Sequence, residues 1–230
     1  MSAVKINRDL LAEKIISDLV LSVKRTDSGK KALNRMDVCR VSHLPVVDEN
    51  RYLGLVSDKL IYDLNLSDKK IGSQADKLIR VHVHFDQHLF EAAIVMYKLK
   101  LSCLPVLNKD HYYLGAITLS DVAARFARLF SLQEPGGVMV LEMNVYDYSL
   151  SEISKIVEGN GIKILSSFLD RKPGGTNMDV ILKLDHEDLS PLIQAFMRYG
   201  YNVKDVYLDH SMLTDLYKDR FEQFMNYMNI

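Results

Sequence analysis

Thr118 and Asp121 set a hydroxyl and a carboxylate three positions apart where a helix begins. A helix start leaves backbone N–H groups without intrahelical partners, and together with the helix dipole these suit a phosphate. The same pair can serve a purely structural end, with Thr118 capping the helix and Asp121 favouring its positive end. The residues alone leave both readings open. His82 and His84 alternate along a short β segment, which puts both rings on one face, and His88 follows a turn later. Three imidazoles can bind zinc. No cysteine or carboxylate completes a recognised spacing, so no metal site is expected. Cys103 lies in a core-like strand, the setting of an inert buried thiol. Neither Gly136-Gly137 nor Gly174-Gly175 leads into the Gly-Lys-Ser/Thr of a phosphate loop, so both read as turns. With no nucleophile–base pairing and no dinucleotide loop, no catalytic residue and no catalytic cofactor are expected.

Composition narrows the classes further. The 230 residues are 48% hydrophobic and 26% charged, the balance of a soluble globular protein. A formal net charge of −1 gives no global field toward nucleic acid or an anionic membrane, so neither partner is expected. The runs Lys24-Arg25 and Lys30-Lys31 are short enough to be solvated faces. The opening Met-Ser-Ala-Val-Lys-Ile-Asn-Arg lacks the apolar core of a secretory signal, and no stretch reaches membrane-spanning length. Cys39 and Cys103 have no paired spacing, which fits a reducing compartment; cytoplasm is the expected location.

The elements that must position these residues come as a duplication. Val41-Ser42-His43-Leu44-Pro45-Val46-Val47 returns sixty positions on as Leu101-Ser102-Cys103-Leu104-Pro105-Val106-Leu107. The same offset pairs Val23 with Val83, Ala32 with Ala92 and Met36 with Met96. Tyr52-Leu53-Gly54-Leu55-Val56-Ser57 returns as Tyr113-Leu114-Gly115-Ala116-Ile117-Thr118, with one extra turn residue between the blocks. Each copy reads as β-α-β-β-α. Asp27 and Asp86 are the expected helix caps, and Ser57 and Thr118 stand where the last helices begin. A unit this small cannot bury its own sheet, so the two copies are expected to pack on each other.

This duplicated set resembles the CBS-domain family, whose tandem pairs pack through their sheets. The resemblance rests on the Leu-Pro-Val strands and on Gly115-Ala116-Ile117-Thr118-Leu119-Ser120-Asp121, and it spans roughly residues 10 to 130. It implies adenosyl-type ligands held in clefts, with Asp121 accepting from ribose hydroxyls and Thr118 and Ser57 near phosphate. His43, just before Leu-Pro-Val, occupies the place of a residue that assists the phosphate. AMP, ADP or ATP is the implied ligand. The first copy departs from this pattern, with Leu60 where the second has Asp121, and Cys103 replaces a basic residue in the second. Loss of one charge-assisted hydrogen bond costs about 1.5–3 kcal/mol, roughly ten- to a hundredfold in affinity. At most one cleft therefore keeps the ribose anchor.

Glu134-Pro135-Gly136-Gly137 breaks the pattern and marks a linker. Beyond it the expected order is β-α-β-β-α-β, the ferredoxin-like plan. It includes a Ser149-x-x-Glu152 capping box and the turn-rich loop Arg171-Lys172-Pro173-Gly174-Gly175. Following a CBS-like pair, this segment resembles an ACT domain, a resemblance that implies an amino-acid ligand at the loop Asn144 to Ser149. That loop carries Tyr146 and Tyr148 in place of glycines. Leu213, Leu216, Tyr217, Phe221, Phe224, Met225 and Met228 then form an apolar helical stripe, lying on its own domain or on a second subunit.

The expected fold class is α+β. A tandem pair fills 1–132, with repeat 1 about 10–66 and repeat 2 about 70–130. An ACT-like domain follows at 137–209 and a C-terminal helix at 210–230. The expected protein is a non-catalytic homodimeric regulator sensing a small metabolite. The alternative is a ligand-free module that assembles with a partner enzyme or transporter.

Overall fold

The computed structural model describes residues 8–208, and the C-terminal stripe at 210–230 lies outside the described residues. The chain divides between Phe126 and Ala127 into two compact units.

The first unit holds the duplication as two copies of one small fold. In the first copy, helix α1 (Gly29–Cys39) leads to an antiparallel hairpin of β1 (His43–Asp48) and β2 (Arg51–Ser57), then to a short helix α2 (Asp58–Asp63). In the second, β3 (Val83–His84) pairs parallel with β4 (Cys103–Leu107), which pairs antiparallel with β5 (Tyr113–Thr118). Helices α3 (Leu89–Leu99) and α4 (Leu119–Leu129) complete that copy. Val23 keeps the parallel contact of β3 only as a single bridge to Val46. Both hairpins slip register at the same place, Val46/Val47 and Val106/Leu107. Both α1 and α3 end on a left-handed residue, Arg40 and Lys100, each at φ 52°. The duplication in sequence is a duplication in backbone.

The caps are not the expected aspartates. Ser28 caps α1 by accepting from the Lys31 N–H, and His88 caps α3 in a capping box with Glu91. Asp27, one residue early, instead accepts from the Lys24 N–H at 2.9 Å and meets the Lys31 ammonium at 2.7 Å.

Each copy has its own apolar cluster, one around Val23, Met36, Leu44 and Ile61, the other around Val83, Met96, Leu104 and Ile117. Lead segments cross between them. Ala12 and Ile15, which precede the first copy, are buried in the second copy's cluster, and Ser17 N–H donates to the Ala116 carbonyl at 2.9 Å. In return Leu78, which precedes the second copy, packs in the first, while Leu55 and Ile79 exchange backbone hydrogen bonds at 2.8 and 3.0 Å. Two glycines make these crossings possible. Gly54 and Gly115 sit at φ 151° and 155°, and a Cβ on them would lie 2.6 Å from Leu78 Cβ and 2.3 Å from Ile16 Cγ2.

The second unit is a four-stranded sheet with two helices. Its elements are β6 (Val138–Asn144), α5 (Leu150–Gly159), β7 (Ile164–Arg171), β8 (Asn177–Leu184), α6 (Ser190–Arg198) and β9 (Asn202–Tyr207). The strand order β7-β8-β6-β9, antiparallel throughout, is the ferredoxin-like arrangement. Met139, Leu141, Val180 and Leu182 face Ile153, Val157, Leu192 and Phe196 in one cluster. Ser149 caps α5 through the Glu152 N–H. Pro191 lies in the first turn of α6, where its missing N–H costs nothing.

Candidate functional site: the converging strand ends

Registers bring the expected site residues to one end of the paired hairpins. His43 at the start of β1 faces Ser57 at the end of β2, and Cys103 at the start of β4 faces Thr118 at the end of β5. Ser42 and Ser102 join the two copies here. Ser42 N–H donates to Ser102 Oγ at 2.9 Å, and His43 Nδ1 lies 3.1 Å from both hydroxyls. Ser102 N–H also points at Nδ1, at 3.4 Å, which makes Nδ1 an acceptor and assigns the ring proton to Nε2. Burial lowers the His43 pKa against an opposing pull from the Asp58 carboxylate, so the ring stands neutral near pH 7.

Thr118 and Asp121 form a reciprocal cap at the start of α4. The Thr118 N–H and hydroxyl donate to Asp121 Oδ2 at 2.9 and 2.5 Å, and the Asp121 N–H donates back to Thr118 Oγ1 at 3.1 Å. The structural role is therefore real, and it leaves Asp121 Oδ1 outside these bonds. Ser57 caps α2 in the same way by accepting from the Leu60 N–H at 3.0 Å. With Leu60 in the aspartate's position, this cap lacks the returning carboxylate, and the two copies differ electrostatically at matched positions. None of the bonds made by His43 reaches Thr118 or Asp121. The site is two capped helix starts joined by a serine–histidine seam.

The nearest thing to a nucleophile–base pair here is inert. The Cys103 thiol donates to the His43 carbonyl at 3.1 Å and not to its ring. Burial pushes this thiol up to about 12, with Cys39 adding in the same direction, so a thiolate is scarce at neutral pH. Ser42 and Ser102 were the residues not singled out by type. Their signal was the repeat itself, which carries a serine at the same place in both copies. Symmetry also fails at the hairpin tyrosines. The Tyr52 hydroxyl donates to the Val81 carbonyl at 2.8 Å, whereas the buried Tyr113 hydroxyl has no hydrogen-bond partner among the described residues.

The CBS-domain family matches this chain twice, over residues 12–64 and 79–128. The first unit is a tandem CBS-domain pair. Two curated relatives overlap the CBS pair and little else. Inosine-5'-monophosphate dehydrogenase of Helicobacter pylori is 32% identical over 114 residues, 48% of this chain and 23% of its own length. Homoserine O-acetyltransferase of Methanobrevibacter ruminantium is 31% identical over 123 residues, 50% of this chain and 24% of its own length. The chain thus spans about a quarter of the length of these relatives. Among solved structures, a CBS domain pair/ACT domain protein of Thermotoga maritima is 19% identical with a TM-score of 0.46, covering 51% of this chain and 97% of that one. CBSX2, solved in complex with AMP, is 25% identical with a TM-score of 0.42, covering 51% and 96%. Among the described residues of the CBS pair and the second unit, no helix is long and apolar enough to cross a membrane.

Proposed function

We propose that this protein is a regulatory module without chemistry of its own, reading an adenine nucleotide (AMP, ADP or ATP) through the CBS pair. One observation carries this reading. At the start of α4, Asp121 is fixed by Thr118 through Oδ2 alone, which leaves Oδ1 to accept from a ribose hydroxyl. Of the first N–H groups of α4, that of Leu119 is taken by the Ser102 carbonyl and that of Asp121 by Thr118 Oγ1, so the phosphate end relies on the positive end of the helix dipole. Ser57 and His43 line the opposite side, where Leu60 removes the second anchor, so one nucleotide per chain is the expected stoichiometry. That two relatives named for unrelated reactions share this same region supports a regulatory role over a catalytic one. The second unit reads as an ACT-like domain on its strand order, and the molecule as a cytoplasmic homodimer. A nucleotide acts here only if it binds two arrangements of the protein with different affinity.

Calorimetric titration of AMP, ADP and ATP into the wild type and Asp121→Asn tests the site. Asparagine keeps the cap acceptor and removes the charge. Affinity is expected to fall roughly ten- to a hundredfold. A wild type that binds none of the three nucleotides rejects the reading.

Leu60 and the buried Cys103 favour a second reading, a ligand-free assembly module for a partner enzyme or transporter. Native mass spectrometry of freshly purified protein separates the two, since it reports subunit number and any co-purified ligand together.

A further inference from the structure

Three histidines gather at the other end of β4 from the serine–histidine seam. His82 and His84 flank the buried Val83, so both rings stand on the opposite face of the strand. His84 pairs with Leu107, the last residue of β4. His111 arrives from the β4–β5 turn at φ 61°. His88, the expected third member, is instead occupied in the α3 cap, where its Nδ1 accepts from the Phe90 N–H at 3.2 Å. Ring centroids lie 5.3 Å apart for His82–His84, 5.7 Å for His84–His111 and 5.9 Å for His82–His111.

We propose that His82, His84 and His111 form a binding site for a divalent transition-metal ion of the zinc class. The spacing is the first reason. A metal–nitrogen bond of about 2.0–2.1 Å puts an imidazole centroid roughly 3.2 Å from the ion. Centroids then stand roughly 5.2 Å apart at tetrahedral angles and roughly 5.5 Å apart at trigonal ones. The observed triangle lies within about 0.4 Å of the trigonal spacing and about 0.7 Å of the tetrahedral one.

The second reason is that the backbone of each ligand is held. His84 N–H donates to Gln87 Oε1 at 2.6 Å, and the carbonyl preceding His82 accepts from the Tyr52 hydroxyl at 2.8 Å. The His111 N–H donates to the Asn108 carbonyl at 3.1 Å, while Asn108 Oδ1 ties the turn by accepting from the N–H groups of Asp110 and Tyr112.

With two ring pairs edge to face and the third tilted, no group of three His, Cys, Asp or Glu side chains among the described residues is placed to hold an ion as the rings stand. What remains is rotation about the terminal side-chain torsions, which are broad for histidine. An all-nitrogen set selects zinc, nickel, copper or cobalt over magnesium and calcium, and three protein ligands leave one position for water.

The site would tie the β4–β5 turn to the lead strand of the second copy. That turn also touches the first copy, through the Arg51–Tyr112 bridge and the Tyr113 N–H on the Asn50 carbonyl at 2.9 Å. A metal here would be a second input to the pair, independent of the nucleotide reading.

Titration of the full chain with Co2+, followed by the visible bands of tetrahedral cobalt and by Zn2+ displacement, is the test. The wild type is expected to bind one ion per chain. His111→Ala, in an exposed turn, and His84→Gln should each weaken binding by at least the roughly 10- to 100-fold that loss of a supporting second-sphere partner costs. His186→Ala, at a residue paired with Asp185 in the second unit, should bind as the wild type does. Circular dichroism of each variant separates loss of a ligand from loss of fold. No Co2+ bound by the wild type, equal binding by folded His111→Ala and His84→Gln, or loss in His186→Ala would each overturn the proposal.

Discussion

At the residue scale, single positions do several jobs. Asp27 does not cap α1, yet its carboxylate is nearly enclosed and gathers Lys31, the Lys24 N–H and Arg35 around the start of that helix. Burial alone would raise its pKa. The Lys31 ammonium, the Lys24 N–H and the Arg35 guanidinium outweigh that and hold it below the ordinary carboxylate value. A depressed folded-state pKa contributes stability that is fully present above the unfolded carboxylate's pKa and lost as pH falls through the folded one. Asp27→Asn is therefore expected to lower stability at pH 7 by on the order of 1 kcal/mol, since the lysine is exposed enough to be screened. The gap to the wild type should close on acidification below about pH 4. Urea unfolding of both proteins from pH 7 to pH 3 checks this, and a gap that persists at low pH would mean the carboxylate's charge is not what matters. Thr118 and Asp121 teach the same lesson: the hydrogen bonds that cap α4 also fix the carboxylate that the nucleotide reading needs.

At the scale of elements, the crossing lead segments matter most. Neither copy finishes its own core. The second is completed by Ala12 and Ile15 from before the first, and the first by Leu78 from before the second. Ile15→Ala is expected to cost about 2–5 kcal/mol, as truncations of buried isoleucines do. The loss should appear in the second copy. Native-state hydrogen exchange is expected to show weakened protection at β4 and β5, and loss concentrated at β1 and β2 would refute the crossed packing. Period and repeat place helices and strands well, since α1 and α3 differ by sixty positions at both ends. They say nothing about which copy a lead segment joins, because an apolar pair such as Ala12 and Ile15 fits either cluster by type. Ser28 and His88 were missed as caps because aspartate, serine and histidine one or two positions apart compete for one geometry, decided by where the chain turns.

At the scale of the whole molecule, the chain holds a CBS pair and a ferredoxin-like unit with its own closed cluster around Met139, Val180 and Phe196. A peptide beginning near residue 132 and running to residue 230 is expected to fold alone, with one cooperative thermal transition and dispersed amide resonances. An unfolded peptide would show that this cluster does not suffice. By itself, the sequence determined the duplication, the α+β class and the order of elements along each unit, which are written in periodicity and in a repeated offset; that Thr118 and Asp121 bond to each other came from the structure. Only the tertiary structure decided that Ser42 and Ser102 meet across the seam, that lead segments change copies, and that His111 rather than His88 joins His82 and His84. Those outcomes depend on contacts between residues far apart in the chain, and a linear pattern carries no term for which distant loop a folded backbone will deliver to a given strand.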